Sequence, residues 1–351
     1  MQALSWHAAR DVRLADVDEP TALPGTAIVE VAFCGLCGTD LSEYLHGPVM
    51  IQPRPHPLSG QAPPIILGHE FSGRVVEIDG AAPGIAVGTR VVADPCLRCG
   101  TCRWCQRGEY HICARGGSLG LAADGALARY LRVPLVQLHA IPDSVSDEHA
   151  ALAEPLAVGL HAAARAGITV GDNVLVLGAG PIGLAALVGA RAAGAAAVFV
   201  SEPNAARARV ALSMGAAEVF DPSADDVRSA VFTRTGRIGP DAVIDGTGRP
   251  EAISLGLRSL RRGGRMAVAG IAPSDLSVDL RQLVLYERTL VGSLGYNFDI
   301  PRVLDLMAAG RIDASPLVTG IRPLAAGVAT LQELSGTDHE HIKVLLTPRE
   351  A

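Results

Sequence analysis

Two textures of apolar and polar positions divide the chain. Up to about Ala150, short Val-rich runs alternate with Gly and Pro, and Ala27–Ala32, Gly73–Ile78, Thr89–Ala93 and Leu127–Val133 read as strands. Runs this short predict an irregular β-barrel-like domain rather than a layered sheet. Between Gly47 and Pro64, six prolines (Pro48, Pro53, Pro55, Pro57, Pro63, Pro64) exclude helix and central strand. Inside a compact domain, such a segment reads as a lid or a pocket wall.

From about Leu156 the pattern becomes a regular alternation. Apolar runs at Val174–Leu177, Ala197–Ser201, Glu218–Phe220, Ala242–Asp245, Arg265–Ala269 and Thr289–Ser293 predict strands. Helical periodicity at Ile182–Ala193, Ala205–Leu212, Val227–Thr235 and Glu251–Ser259 falls between them. Strand–helix repetition implies a parallel, doubly wound α/β sheet. A helix (Ile300–Ala309) and a last strand (Ile342–Leu346) follow. At 351 residues the chain exceeds one typical core and suits two domains.

Composition narrows the class. A formal charge of −6 disfavours a nucleic-acid binder, which usually carries a basic face. Met1 to Trp6 lacks the basic and apolar regions of a secretory signal. Ile182 to Val200 is nearly long enough to cross a bilayer. Arg191 and Gly194 interrupt it, so a buried helix followed by a buried strand is expected, with no membrane partner. A cytoplasmic protein is expected.

Val174-Leu-Val-Leu-Gly178-Ala-Gly180-Pro-Ile-Gly183 is a strand, a glycine turn and a helix start. Gly178 permits the turn, Gly180 admits a pyrophosphate to the backbone, and Gly183 lets the helix pack on the sheet. Pro181 and Ile182 open a helix whose N-terminus favours an anion. Glu202 ends the next strand, where a carboxylate accepts ribose hydroxyls and repels a 2′-phosphate, which favours NAD over NADP. Arg207, nearby, could hold a phosphate or stack on adenine.

Five of the seven cysteines fall between Cys96 and Cys113. Clustered thiols without an export signal point to metal rather than disulfides. Cys99, Cys102, Cys105 and Cys113 supply four thiolates, the closed tetrahedral set of a structural zinc. A rival is Fe–S ligation by the run Cys96, Cys99, Cys102, Cys105, although the ferredoxin-type Cys-Pro ending is absent. Upstream, Cys37, His69 and the carboxylates of Glu70 or Glu154 offer mixed ligands of the catalytic type. His69 and Glu70 are adjacent, so both can face one ion only if the backbone turns there. Glu154 before Pro155 is otherwise a helix N-terminal acid.

Cys34-Gly-Leu-Cys37-Gly-Thr-Asp, Gly68-His-Glu-Phe, the four-cysteine loop, Glu154-Pro-Leu and Gly178-x-Gly-x-x-Gly occur in this order. In that combination the chain resembles the zinc-containing medium-chain alcohol dehydrogenase/reductase family over essentially its full length. Within the family it is similar to the butanediol, sorbitol and threonine dehydrogenase branch. His56-Pro-Leu-Ser-Gly60 and Pro64-x-x-Leu-Gly-His-Glu-Phe-Ser-Gly73 look most like 2,3-butanediol dehydrogenases. The resemblance implies a GroES-like β-rich catalytic domain (1–155 and 296–351), a Rossmann NAD-binding domain (156–295) and a homodimer or homotetramer.

It also implies a catalytic zinc on Cys37, His69 and either Glu70 or Glu154, and a structural zinc on the four cysteines. Thr39 would take the hydroxyl proton of a secondary alcohol while hydride passes to nicotinamide. Relatives often carry His at the position of Ser42, which cannot act as a base near neutral pH, so either Thr39 hands the proton through the ribose to water or another group such as His46 or His56 helps. A vicinal diol such as 2,3-butanediol, or an acyloin, is the expected substrate, with a polyol or threonine as alternatives. A non-catalytic NAD-binding sensor would lack the Cys–Thr–His–Glu set. A zinc–cysteine module for nucleic acid has only Arg258, Arg261, Arg262 and Arg265 in its favour, and a solvated helix end accounts for those.

Overall fold

The computed structural model describes residues 1–271, 275–336 and 339–348. They form two units, Met1–Glu154 with Val318–Ala351, and Pro155–Leu317.

The first unit opens with an antiparallel pair, β1 (Gln2–Ala8) and β2 (Asp11–Asp16), absent from the sequence expectation. Its spine is β3 (Thr26–Gly35), largely apolar because most of both its faces is buried, and paired along both edges. After the short helix α1 (Gly38–His46) come β4 (Glu70–Asp79), β5 (Arg90–Ala93), β6 (Tyr130–Pro134) and β7 (Leu138–Ala140). The run expected as a strand from Leu127 enters the sheet only at Tyr130. Its first residues bond elsewhere, Leu127 with Leu67 and Leu4, and Ala128 bridges Ala3. The Pro-rich segment forms no regular strand or helix before Ile65–Ile66. It is tied down by the buried Glu43 carboxylate, which accepts the N–H groups of Val49, Met50 and Ile51.

Helix α2 (Ala153–Arg165) follows, and the second unit then alternates as expected: β8 (Asn173–Leu177), α3 (Pro181–Ala192), β9 (Ala197–Ser201), α4 (Ala205–Ser213), β10 (Glu218–Phe220), α5 (Val227–Arg234), β11 (Ala242–Asp245), α6 (Pro250–Ser259), β12 (Arg265–Val268) and β13 (Thr289–Gly292). The six strands are all parallel, in the order β10-β9-β8-β11-β12-β13. Gly183 through Ala190 of α3 are buried, which accounts for the long apolar stretch. Among the described residues, no helix is long and apolar enough to cross a membrane.

Helix α7 (Asp299–Ala308) belongs to the second unit, so residues 296–317 fall outside the unit to which sequence assigned them. The reason is physical: Tyr296, Ile300, Val303, Leu304 and Met307 are buried, and Asp299 lies 3.4 Å from His161 of α2. The chain then returns to the first unit with β14 (Val318–Pro323), α8 (Gly327–Leu334) and β15 (Lys343–Thr347). Parallel β14 and β15 join the sheet where Leu345 and Leu346 pair with Gly35 and Cys34 of β3. The final order is β7-β5-β4-β3-β15-β14, with β6 also on β3. Leu4, Val29, Val31, Phe71, Val75, Leu127 and Leu346 lie in its core.

Candidate active site

Three loops at one end of β3, β4 and β15 build the first group. Chain leaving β3 reaches Cys37, which caps α1, and the buried Asp40 carboxylate accepts the Cys37 N–H at 2.9 Å. Thr39 Oγ1 lies 3.7 Å from Cys37 Sγ. His69 precedes β4 and Glu70 begins it, so the pair straddles the turn that two adjacent ligands need. Gly68 makes that turn at φ 95°, and a Cβ there would press on Cys34 and Leu127. Gly35, opposite Glu70 in register, leaves the space its carboxylate fills.

One donor atom from each of Cys37, His69 and Glu70 lies within 4.8 Å of the others. Glu154, in the first turn of α2, is outside this trio, although its charge is felt at His69. His69 Nδ1 and Asp40 Oδ1 are buried 3.8 Å apart, each without a hydrogen-bond partner. Burial favours the neutral His69 ring, but Cys37, Asp40 and Glu154 outweigh it and hold its pKa well above the ordinary value. Anionic donors converging on a buried imidazole make a site that attracts a cation. That donor chemistry fits zinc with a position left open.

Sequence reasoning missed two members of this site. Asp40 was legible as the third residue of a capped helix, placed to reach back to Cys37. Lys343 carried no local signal. Its buried Nζ donates to both Glu70 oxygens, at 2.6 and 2.8 Å, and to Leu36 O at 3.1 Å. His56, by contrast, is buried with Nε2 3.2 Å from Gly116 O, while Nδ1 accepts from Leu58 N. Both its nitrogens face main chain, which removes it as the expected proton helper. His46 is exposed at the end of α1.

The second group holds the Sγ atoms of Cys99, Cys102, Cys105 and Cys113, also within 4.8 Å of one another. Cys99 is 3.9 Å from Cys105, and Cys102 is 3.9 Å from Cys113. Tetrahedral zinc with bonds of about 2.3 Å needs sulfurs about 3.8 Å apart, so the set fits. Hydrogen bonds from Thr101, then from Arg115 and the Cys102 N–H, push the Cys99 thiol down to about 5. Cys96 lies outside the group, in the short strand Cys96–Leu97, so the spacing-three run does not act as one ligand set.

In the second unit the glycine turn follows β8. Gly178 has φ 86°, and a Cβ on Gly183 would strike the Gly178 carbonyl. A Cβ on Gly180 would meet nothing within 4 Å, so open space faces the N-terminus of α3. Pro181 and Ile182 form its first turn, where N–H groups are unclaimed by the helix. Glu202 is buried beside the turn and accepts from Ala179 N at 2.6 Å and Asn204 N at 2.8 Å. Each oxygen keeps further acceptor capacity. Arg207 Nε is buried without a protein partner.

Residues 23–143 match the alcohol dehydrogenase GroES-like domain, and residues 181–309 match the zinc-binding dehydrogenase family. (R,R)-Butanediol dehydrogenase of Bacillus subtilis is 36% identical over 91% of each chain. The chain belongs to the zinc-binding dehydrogenase family. This zinc-dependent alcohol dehydrogenase superposes on the crystal structure of 2R,3R-butanediol dehydrogenase from Bacillus subtilis with a TM-score of 0.93, 34% identity and 99% coverage of both chains. L-Threonine 3-dehydrogenase of Pyrococcus abyssi is 33% identical over 89% of this dehydrogenase and 88% of its own length. A dehydrogenase structure from Sinorhizobium meliloti, bound to NADP, has a TM-score of 0.91 and 32% identity, covering 99% of each chain. Family membership sets aside the reading as a non-catalytic sensor.

Proposed function

We propose that this dehydrogenase interconverts a vicinal diol of the 2,3-butanediol type and its acyloin with NAD. The observation that carries the chemistry is the convergence of Cys37, His69 and Glu70 beside Thr39. Cys37, His69 and Glu70 hold a catalytic zinc, with Glu154 as a further carboxylate, and Cys99, Cys102, Cys105 and Cys113 hold a structural one. Zinc held there would supply Lewis acidity toward the substrate oxygen, and NAD would supply the hydride-accepting chemistry.

The protein's own residues prepare that reaction. Thr39 Oγ1 takes the substrate's hydroxyl proton by a hydrogen bond. Ser42 and His46 share a helix face with Thr39, at spacings of three and four, and give the proton a path to solvent. Asp40 holds the Cys37 main chain and sets a negative charge 3.8 Å from His69, and Lys343 balances the Glu70 charge. Gly178, Gly180, Gly183 and the start of α3 with Pro181 and Ile182 seat the pyrophosphate. Glu202 receives the adenosine ribose hydroxyls and repels a 2′-phosphate, and Arg207 lies alongside the adenosine.

Similarity to both butanediol and threonine dehydrogenases keeps a threonine or polyol substrate as the second reading. β13 is an edge strand, and exposed Leu280, Val284 and Leu285 precede it, which supports a homodimer or homotetramer. The decisive test is an NAD-reduction screen across butanediol stereoisomers, sorbitol, threonine and simple secondary alcohols, with zinc content measured alongside. The highest kcat/KM is expected for a butanediol isomer with NAD. A preference for threonine, sorbitol or NADP overturns the corresponding part of the assignment.

A further inference from the structure

The arginines near the end of α6 are largely solvent-exposed, as expected of a helix end, but they differ in their partners. Arg261 pairs with Asp241 at 2.6 Å. Arg258 and Arg262 instead line a cavity of about 230 Å³, together with Arg228 from the first turn of α5 and Arg288 just before β13. Phe232 and Tyr286 complete the part of the wall that matters here.

The cavity lies beside the starts of β12 and β13, since Arg262 is three residues before the one and Arg288 immediately precedes the other. The glycine turn follows the end of β8, which runs parallel to both. The two places therefore sit at opposite ends of the parallel strands of one sheet. The cofactor seat and the arginine cavity are separate.

Charge is the second observation. Among the described residues, none of Arg228, Arg258, Arg262 and Arg288 has a carboxylate within ion-pair distance, whereas their neighbours Arg234, Arg261 and Arg281 each do. Arg288 spends its donors on Gln282 Oε1, at 2.7 Å, and on the Leu260 carbonyl, which leaves its charge uncompensated. Arg262 and Arg288 both stand over the Tyr286 ring, 5.1 and 4.6 Å from its centroid. Burial lowers the Arg288 pKa, and although Tyr286 opposes this, the charges of Arg228 and Arg262 add to it. Four guanidinium groups without a counter-ion repel one another, and an anion placed among them removes that repulsion.

We propose that this cavity binds a small polyphosphate, independently of the dinucleotide site. Guanidinium forks match phosphate oxygens bidentately, and a di- or triphosphate carries enough charge to satisfy several arginines at once. The volume equals that of about eight waters, room for a pyrophosphate group but not for a folded peptide segment. Phe232 at the rim offers an apolar surface to an attached organic group.

The test uses zinc-loaded enzyme saturated with its dinucleotide, so that the glycine turn is already filled. Inorganic pyrophosphate, ADP and citrate are titrated separately by calorimetry. Saturable binding of pyrophosphate, weakened about tenfold in each of Arg228→Gln and Arg262→Gln, is expected. ADP binding more tightly than pyrophosphate would identify a nucleotide as the source of the phosphates. Arg281→Gln, whose partner is Asp279, serves as the control and leaves binding unchanged. Unaltered turnover and unfolding midpoints in the two test variants separate lost binding from lost fold. Absence of pyrophosphate binding, insensitivity to both variants, competition with the dinucleotide, or tighter binding of citrate each overturns the proposal.

Discussion

Lys343 Nζ and Glu70 Oε2 meet 2.6 Å apart in the interior, across 273 residues of sequence. Their side chains are 3% and 1% exposed, so neither charge has recourse to water. In metal-free enzyme, Lys343→Met leaves a carboxylate buried and uncompensated, and a loss of about 3 kcal/mol in urea unfolding is expected. Glu70→Gln combined with Lys343→Met loses less than Lys343→Met alone. Equal losses in the single and double variants would show that the pair carries no coupling. Burial would lower the Lys343 pKa, but Glu70 and Cys37 outweigh it and raise it. A raised lysine contributes its stability fully below its unfolded value of about 10.4 and loses it only as pH climbs through the folded value. The Lys343→Met difference is therefore constant from pH 6 to about pH 9.

Gly180 and Gly183 separate binding from folding. Gly180→Ala places its methyl in open space, so the unfolding midpoint should hold while dinucleotide affinity falls about tenfold or more. Gly183→Ala drives a methyl into the Gly178 carbonyl and should destabilise the second unit outright. Fluorescence titration with NADH and thermal unfolding read the two effects. Unchanged affinity in Gly180→Ala would remove the turn from the cofactor site.

Metal content distinguishes the two donor groups. Cys102→Ser should lose the metal of the four-cysteine group and lower the unfolding midpoint strongly, because structural zinc contributes folding energy. His69→Ala should lose the other metal and the turnover, with a smaller loss of stability. Elemental analysis beside calorimetric unfolding checks both, and two variants with identical metal loss would merge the sites.

Acid sensitivity should trace in part to Asp299. Burial raises its pKa, but the hydrogen bond with His161 and the N–H of Asn297 outweigh it and hold the carboxyl below its ordinary value. A depressed carboxylate contributes stability above its unfolded pKa of about 3.9 and loses it as pH falls through the folded value. Asp299→Asn should therefore cost about 1 kcal/mol at pH 7 and progressively less below pH 4. Urea midpoints across that range provide the measurement, and a constant difference would exclude the linkage.

The second unit was legible because its central strands β8, β9 and β11 are buried on both faces. Ala197–Ser201, Glu218–Phe220 and Ala242–Asp245 begin and end where their apolar runs do. The pair β1 and β2 escaped notice because Gln2–Ala8 and Asp11–Asp16 mix polar and apolar residues, and their order comes from mutual pairing. The boundary near residue 296 was misplaced because α7 joins its unit through burial and the Asp299–His161 contact, which no local pattern announces. In the site, Cys37, His69 and the four cysteines were legible from side-chain chemistry at short spacing. Lys343 was hidden because its partner lies far away in sequence, and a single lysine opening an apolar strand has no local meaning.

The return of the chain to the first unit has a consequence for biosynthesis. Lys343 and the strand that carries it leave the ribosome only after the whole of Pro155–Leu317 has been made. Until then Cys34 and Gly35 at the end of β3 lack their strand partners, and Glu70 waits in the nascent chain without its counter-charge. The continuous second unit is thus expected to fold first during translation, and the discontinuous one to close last.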